Sequence, residues 1–206
     1  LRVELRTSSP LVRLALFRNR RMSTGFVAST LVTTVAMTTL VIGPFYLSGA
    51  LHLDPAGIGV VMSTGPLVAA LVGIPAGKAV DRLGAARVTL MGLIAMTSGS
   101  LLLAGMTSSQ GILGYILPLI TLTAGFATFQ AANKARVIAG TEAYQRGLVS
   151  GLLNLSRNLG LVTGASLMGA IFVHAAGAES IELADASAVV VGAHAAFLTA
   201  SALLAA

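Results

Sequence analysis

Residues 88–133 read VTLMGLIAMTSGSLLLAGMTSSQGILGYILPLITLTAGFATFQAAN, without one Asp, Glu, Lys, Arg or His. A helix crosses the hydrocarbon core of a bilayer with about 20 mainly apolar residues, so this stretch is long enough for two. The polar run Thr107-Ser108-Ser109-Gln110-Gly111 falls where a turn between them belongs. Residues 22–53 form a second stretch free of Asp, Glu, Lys and Arg. Over the whole chain 55% of the 206 residues are hydrophobic and 10% charged, and the mean hydropathy is +0.89. A soluble domain carries about 25% charged residues, and no soluble domain of this length has an interior able to hide so much apolar chain. The apolar runs do not alternate with polar residues as the strands of a membrane barrel do. Residues 1–21 hold six arginines and no apolar core, so no secretory signal peptide is expected in this stretch. The absence of cysteine excludes a disulfide framework and thiolate metal or redox chemistry. An all-α, polytopic membrane protein is expected.

Working outward from 88–133, six spans are expected at about 24–48, 56–77, 87–106, 111–133, 147–174 and 187–206, preceded by a basic linker over 1–22. The basic residues test that number. Arg2, Arg6, Arg13, Arg18, Arg20 and Arg21 precede the first span; Lys78, Arg82 and Arg87 lie between the second and third; Lys134, Arg136 and Arg146 lie between the fourth and fifth. If the spans alternate in direction, 12 of the 13 Lys and Arg residues fall on one side, while the opposite loops hold Asp54, Glu179, Glu182 and Asp185 and no base. The positive-inside rule then makes the N-terminus cytoplasmic in a multi-pass protein of the plasma membrane. The sequence pI of 10.8 reports this topology and not a nucleic-acid-binding face.

Between the second and third spans stands Gly77-Lys78-Ala79-Val80-Asp81-Arg82-Leu83-Gly84-Ala85-Ala86-Arg87. Gly84 suits a tight turn, Gly77 a close helix contact, and Asp81 a helix N-terminus, where the backbone dipole favours an anion. The segment resembles the cytoplasmic signature of the major facilitator superfamily, G-x-x-x-D-R/K-x-G-R/K-R/K. Gly77, Asp81, Arg82 and Gly84 match at the right spacing, Arg87 supplies a late base, and Ala85 and Ala86 replace the expected basic pair. Ser9-Pro10-Leu11 with Leu16-Phe17-Arg18-Asn19-Arg20 resembles the linker before the second half of the fourteen-helix drug:proton antiporter branch. Gly140-Thr141-Glu142, Arg146-Gly147, Ser150-Gly151-Leu152-Leu153-Asn154, Arg157, Gly160 and Gly164 resemble its penultimate helix, so the likeness covers roughly 8–206. The resemblance implies one six-helix half of the facilitator fold, built from two inverted three-helix repeats, with gating carried by Gly77, Asp81, Arg82, Gly84 and Arg87. It implies further helices upstream as partner, an expectation to which the start at Leu1 and the end at Ala206 are added.

Polar groups facing lipid cost free energy, so those within spans are candidates for the interior or a wet cavity. They are Thr30, Thr34 and Thr38 in the first span, Thr123, Gln130 and Asn133 in the fourth, and Asn154 and Arg157 in the fifth. Threonine can instead satisfy itself on the carbonyl one turn back, and Arg157 can snorkel to the interface. Tyr115, Phe126 and Phe129 offer aromatic surface to a flat substrate or to the core. Small-residue stripes, Gly65, Ala69, Gly73 and Gly77 in the second span and Gly147, Gly151, Gly160 and Gly164 in the fifth, suit close helix packing, either within the bundle or also against a second bundle outside this chain. No span contains Asp or Glu, so a titrating group for proton coupling is expected either in the missing half or at His194 in the sixth span, which also suits a hydrogen-bonded structural role.

The expected function is transport, most specifically as part of a proton-coupled efflux system for drug-like or antibiotic-like compounds. A facilitator-type nutrient or organic-acid transporter and a non-transporting six-helix remnant are the alternatives. An enzyme is not expected: paired intramembrane His and Asp, or a His-Glu-x-x-His helix, is absent. The expected partners are the bilayer, a small-molecule substrate and protons, with no cofactor, metal or nucleic acid.

Overall fold

The computed structural model describes residues 20–177 and 185–205. The linker residues 1–19, with the Ser9-Pro10-Leu11 likeness, and Glu179 and Glu182 of the expected outer loop lie outside the described residues. The described chain is helical throughout: α1 (Arg20–Gly49), α2 (Pro55–Leu83), α3 (Ala85–Ala104), α4 (Gly111–Ala139), α5 (Arg146–Ala176) and α6 (Ala186–Ala205). Short 3-10 turns at Ser108–Gln110 and Ala143–Gln145 precede α4 and α5. All six helices are long and apolar enough to cross a membrane, since 20 residues at 1.5 Å each rise about 30 Å.

The expected spans fall on these helices, but α2 and α4 run on to Leu83 and Ala139 where the sequence reading stops at 77 and 133. Charge ends an apolar run without ending a helix. Lys78, Arg82, Lys134 and Arg136 are good helix formers whose heads reach the polar face while their backbones continue the ladder.

The true helix ends have local causes. At α2, Asp54 accepts a hydrogen bond from the Gly57 N–H at 3.0 Å, and Pro55 fills the first helical position. Before α4, the Thr107 N–H donates to Gln110 Oε1 at 3.2 Å within a capping box. Gly84 alone separates α2 from α3. Its φ of 82° and ψ of 148° turn the chain; its N–H donates to the Val80 carbonyl, and its own carbonyl accepts from Val88.

The most extensive packing is α3 on α4, followed by α1 on α5 and α2 on α4. Where α3 meets α4 the backbones nearly touch: a Cβ at Gly92 would lie 2.7 Å from the Phe129 nitrogen, and one at Gly125 would lie 2.6 Å from that of Met96. The first helix of each triplet thus lies on the middle helix of the other, while α1–α2 and α4–α5 touch little. This interlocking is what two inverted three-helix repeats produce. Tyr46, Tyr115, Met96, Leu122, Phe129, Met168, Phe172 and Phe197 fill the core, with Tyr46 and Tyr115 stacked at 5.9 Å.

The α2 stripe is a correction. A Cβ at Gly73 or Gly77 would meet nothing within 4 Å, and only Val61, Gly65 and Ala76 are buried in all of α2. The α5 stripe divides: Gly147 and Gly151 are open, whereas Gly160 and Gly164 lie against the carbonyls of Thr30 and Thr34 on α1.

Candidate functional site

Two adjoining hollows run between α1, α2, α4 and α5. The first, about 230 Å³, is lined by Ser29 of α1, by Gln130, Asn133 and Lys134 of α4, and by Ser150, Leu153, Asn154 and Arg157 of α5. The second, about 240 Å³, is mainly apolar, with Ala36, Thr39 and Leu40 of α1, Met62, Gly65, Pro66 and Ala69 of α2, and Leu119, Leu122, Thr123 and Phe126 of α4. Arg157 lines both. It is the twelfth residue of α5, whose first residue is Arg146, which puts its backbone about 16 Å along the helix axis. Among the described residues the side chains of Arg157, Lys134, Gln130, Asn154 and Ser150 make no hydrogen bond or ion pair, and no Asp or Glu lines either hollow.

The structure therefore gathers five of the expected residues here: Thr123 in the apolar hollow, and Gln130, Asn133, Asn154 and Arg157 in the polar one. Asn133 also holds the helices together, its Nδ2 donating to the Gly25 carbonyl of α1 at 2.9 Å. The threonine stripe goes elsewhere. Thr30 donates to its own helix at Phe26 and lies 3.1 Å from the Ser156 carbonyl of α5, and Thr34 donates across to the Gly160 carbonyl at 3.2 Å. Thr38 is fully buried, with its hydroxyl unpaired among the described residues. Thr30 and Thr34 make the α1–α5 seam, where glycines on α5 bring its backbone within reach of their hydroxyls, and none of the three threonines lines either hollow. Of the aromatic candidates, Phe126 faces the apolar hollow, while Tyr115 and Phe129 are core.

Ser29, Lys134 and Ser150 were not singled out by the sequence. Lys134 was assigned to a loop; since α4 continues to Ala139, positions 130, 133 and 134 share one face.

At the far end of α2, Asp81 is exposed in the last helical turn and not at a helix N-terminus, a correction that follows from the helix running on to Leu83. Arg82 lies beside it, Arg87 sits in the first turn of α3, and Gly77 is one turn earlier with no close neighbour. His194 lines neither hollow: its Nε2 lies 2.6 Å from the Met106 carbonyl just past α3. Among the described residues no three of His, Cys, Asp and Glu cluster as metal ligands would.

Six apolar helices form two interlocked triplets, with the Gly77–Arg87 signature at the joint between α2 and α3, and residues 24–205 match the Major Facilitator Superfamily. The chain belongs to the Major Facilitator Superfamily. It is 29% identical over 168 residues to an uncharacterised transporter, YebQ, of Escherichia coli, covering 82% of this chain and 37% of that protein. It is 24% identical over 169 residues to the riboflavin transporter RibZ of Clostridioides difficile, with 82% and 37% covered. It is 22% identical over 167 residues to the multidrug efflux pump LfrA of Mycolicibacterium smegmatis, with 81% and 33% covered. The chain thus spans about one third of the length of these curated relatives. Membership in this superfamily sets the chain among multi-pass membrane transporters and apart from enzymes.

Proposed function

We propose that this chain is one six-helix half of a proton-coupled exporter of drug-like or antibiotic-like compounds. It sits in the plasma membrane with its N-terminus and the Gly77–Arg87 loop in the cytoplasm. The observation that carries this reading is the paired hollow between α1, α2, α4 and α5, polar at one end, apolar at the other and joined at Arg157. A small number of polar groups against an apolar wall is the composition of a small-molecule site. The nearly bare α2, with three buried residues of 29, supports a second helical bundle as the opposite wall, supplied by further helices of the same transporter. Substrate then passes between two bundles that rock about it.

The one carboxylate in the six helices, Asp81, is in the last turn of α2, so this reading places the proton-carrying group in the opposite bundle. The loop Gly77, Asp81, Arg82, Gly84 and Arg87 then serves gating at the cytoplasmic ends. Likeness to a multidrug efflux pump favours export, and likeness to a riboflavin transporter is what favours the nutrient alternative.

Everted vesicles from cells producing the full transporter separate the two. Under an imposed acid-inside gradient they are expected to accumulate fluorescent drug-like dyes and to lose them when a protonophore is added. Gradient-independent riboflavin movement without dye accumulation would select the nutrient reading. A chain that inserts and moves neither would select the non-transporting remnant.

A further inference from the structure

We infer that the hollow between α1, α4 and α5 is an anion site, and that the substrate class it takes is a soluble organic acid with a compact apolar body. The inference deepens the reading of this cleft as the substrate path and rests on it. Lys134 and Arg157 approach the same 230 Å³ space from different helices, with Gln130, Ser150 and Asn154 as neutral hydrogen-bonding groups around them. None of these five side chains has a protein partner among the described residues. Two cations sharing a hollow repel each other, and a single anionic group between them relieves that repulsion. An anion also gains charge-assisted hydrogen bonds, which are about twice as strong as neutral ones and suit the planar fork of a guanidinium to a carboxylate.

The other half of the ligand follows from Arg157 lining the adjoining hollow, where Met62, Leu119 and Phe126 offer an apolar wall without charge. A head held at Arg157 thus leaves the body of the same molecule against that wall. A cationic compound finds no carboxylate in either hollow and meets two like charges at the entrance, so the site selects by repulsion as well as attraction. The two hollows, about 230 and 240 Å³, are at the small end of ligand sites. They suit one fused-ring body better than the two acyl chains of an anionic phospholipid.

Equilibrium binding tests this apart from transport, so a failure of export leaves it standing, and a working exporter without charge selection overturns it. The purified full-length protein in phosphatidylcholine nanodiscs is titrated calorimetrically with 2-naphthoate, the neutral 2-naphthamide and cationic 2-naphthylmethylammonium, with empty discs as reference. Naphthoate is expected to bind at least tenfold more tightly than the amide, and the ammonium not above the empty-disc signal. Arg157→Gln and Lys134→Gln are each expected to weaken naphthoate at least tenfold while leaving the amide within twofold, with Arg157→Lys intermediate. Arg146→Gln, which removes a cation lining neither hollow, is expected to change nothing. Equal binding of all three probes, or naphthoate binding untouched by both Gln variants, would overturn the site. If 20 mol% phosphatidylglycerol displaces naphthoate with the same dependence on Arg157, the occupant is a lipid headgroup and the assignment to a soluble acid is wrong.

Discussion

At Gly84 the chain reverses in a single residue, and the φ of 82° with ψ of 148° explains why that residue is glycine. This region of backbone space is open to glycine and to almost nothing else, and holding another residue there costs about 1–3 kcal/mol. No atom lies within 4 Å of a Cβ built at this position, so the cost of Gly84→Ala is conformational and not steric. A loss of about 1–3 kcal/mol in reversible detergent unfolding is expected. Gly84→Asn gives no rescue, because the left-handed helical region that Asn tolerates has ψ near 47°. Recovery with Asn would show that the joint differs from this geometry. Three residues earlier, Asp81 puts a negative charge in the last turn of α2, where the helix dipole disfavours it. Nothing in its own bundle repays that placement: no ion pair to Asp81 is found among the described residues. Asp81→Asn is therefore expected to leave the unfolding transition in place or raise it slightly. Transport by the full protein should still fall about tenfold or more, equivalent to about 1.4 kcal/mol in the working cycle. Unchanged efflux would remove the gating role and leave an ordinary cytoplasmic hairpin.

Helix by helix, the same residue type does opposite things. Gly160 and Gly164 let α5 lie on the carbonyls of α1 so that Thr30 and Thr34 reach across. Gly147 and Gly151, earlier on the same helix, face open space. Gly164→Ala would place its new carbon 2.6 Å from the Thr34 oxygen, and such overpacking costs about 1–3 kcal/mol. Gly147→Ala and Gly151→Ala are expected to fall within about 0.5 kcal/mol of wild type in the same measurement. Equal costs at the two ends of α5 would contradict the packing. The contrast shows where sequence reading reached its limit. Uncharged runs and the bases between them were enough to find six helices, because membrane solvent enforces both. A glycine every fourth residue tells only that a helix is able to come close to something. Gly92 and Gly99, which admit α4 against α3, are seven residues apart and escaped that pattern. The hollow was legible in Gln130, Asn133, Asn154 and Arg157, polar groups with no business in lipid. Lys134 was missed because its charge marks the end of an apolar run, whereas the helix carrying it continues to Ala139.

Across the whole molecule, basic residues gather at one end of the bundle. Arg20, Arg21, Lys78, Arg82, Arg87, Lys134, Arg136 and Arg146 all occur where α1, α3 and α5 begin or α2 and α4 end. Those ends are held side by side: Arg136 of α4 donates to the Thr24 hydroxyl of α1 at 3.3 Å. The opposite ends carry Asp54, Asp185 and the uncharged Thr107–Gly111 turn. Basic residues near short loops resist translocation, so the basic end is expected in the cytoplasm. Residues 1–206 contain no cysteine, so an introduced thiol is the only one these residues present, and the cysteine-bearing variant is read against the unsubstituted protein. Arg82→Cys and Ser109→Cys are both at exposed positions at opposite ends of the bundle. In intact cells a membrane-impermeant maleimide is expected to label position 109 and spare position 82, and cell disruption should expose both. Labelling at 82 from outside would invert the topology. It would also carry the mouth of the Lys134–Arg157 hollow to the external face, so that the same cations would meet an organic acid arriving from outside instead of one leaving the cell.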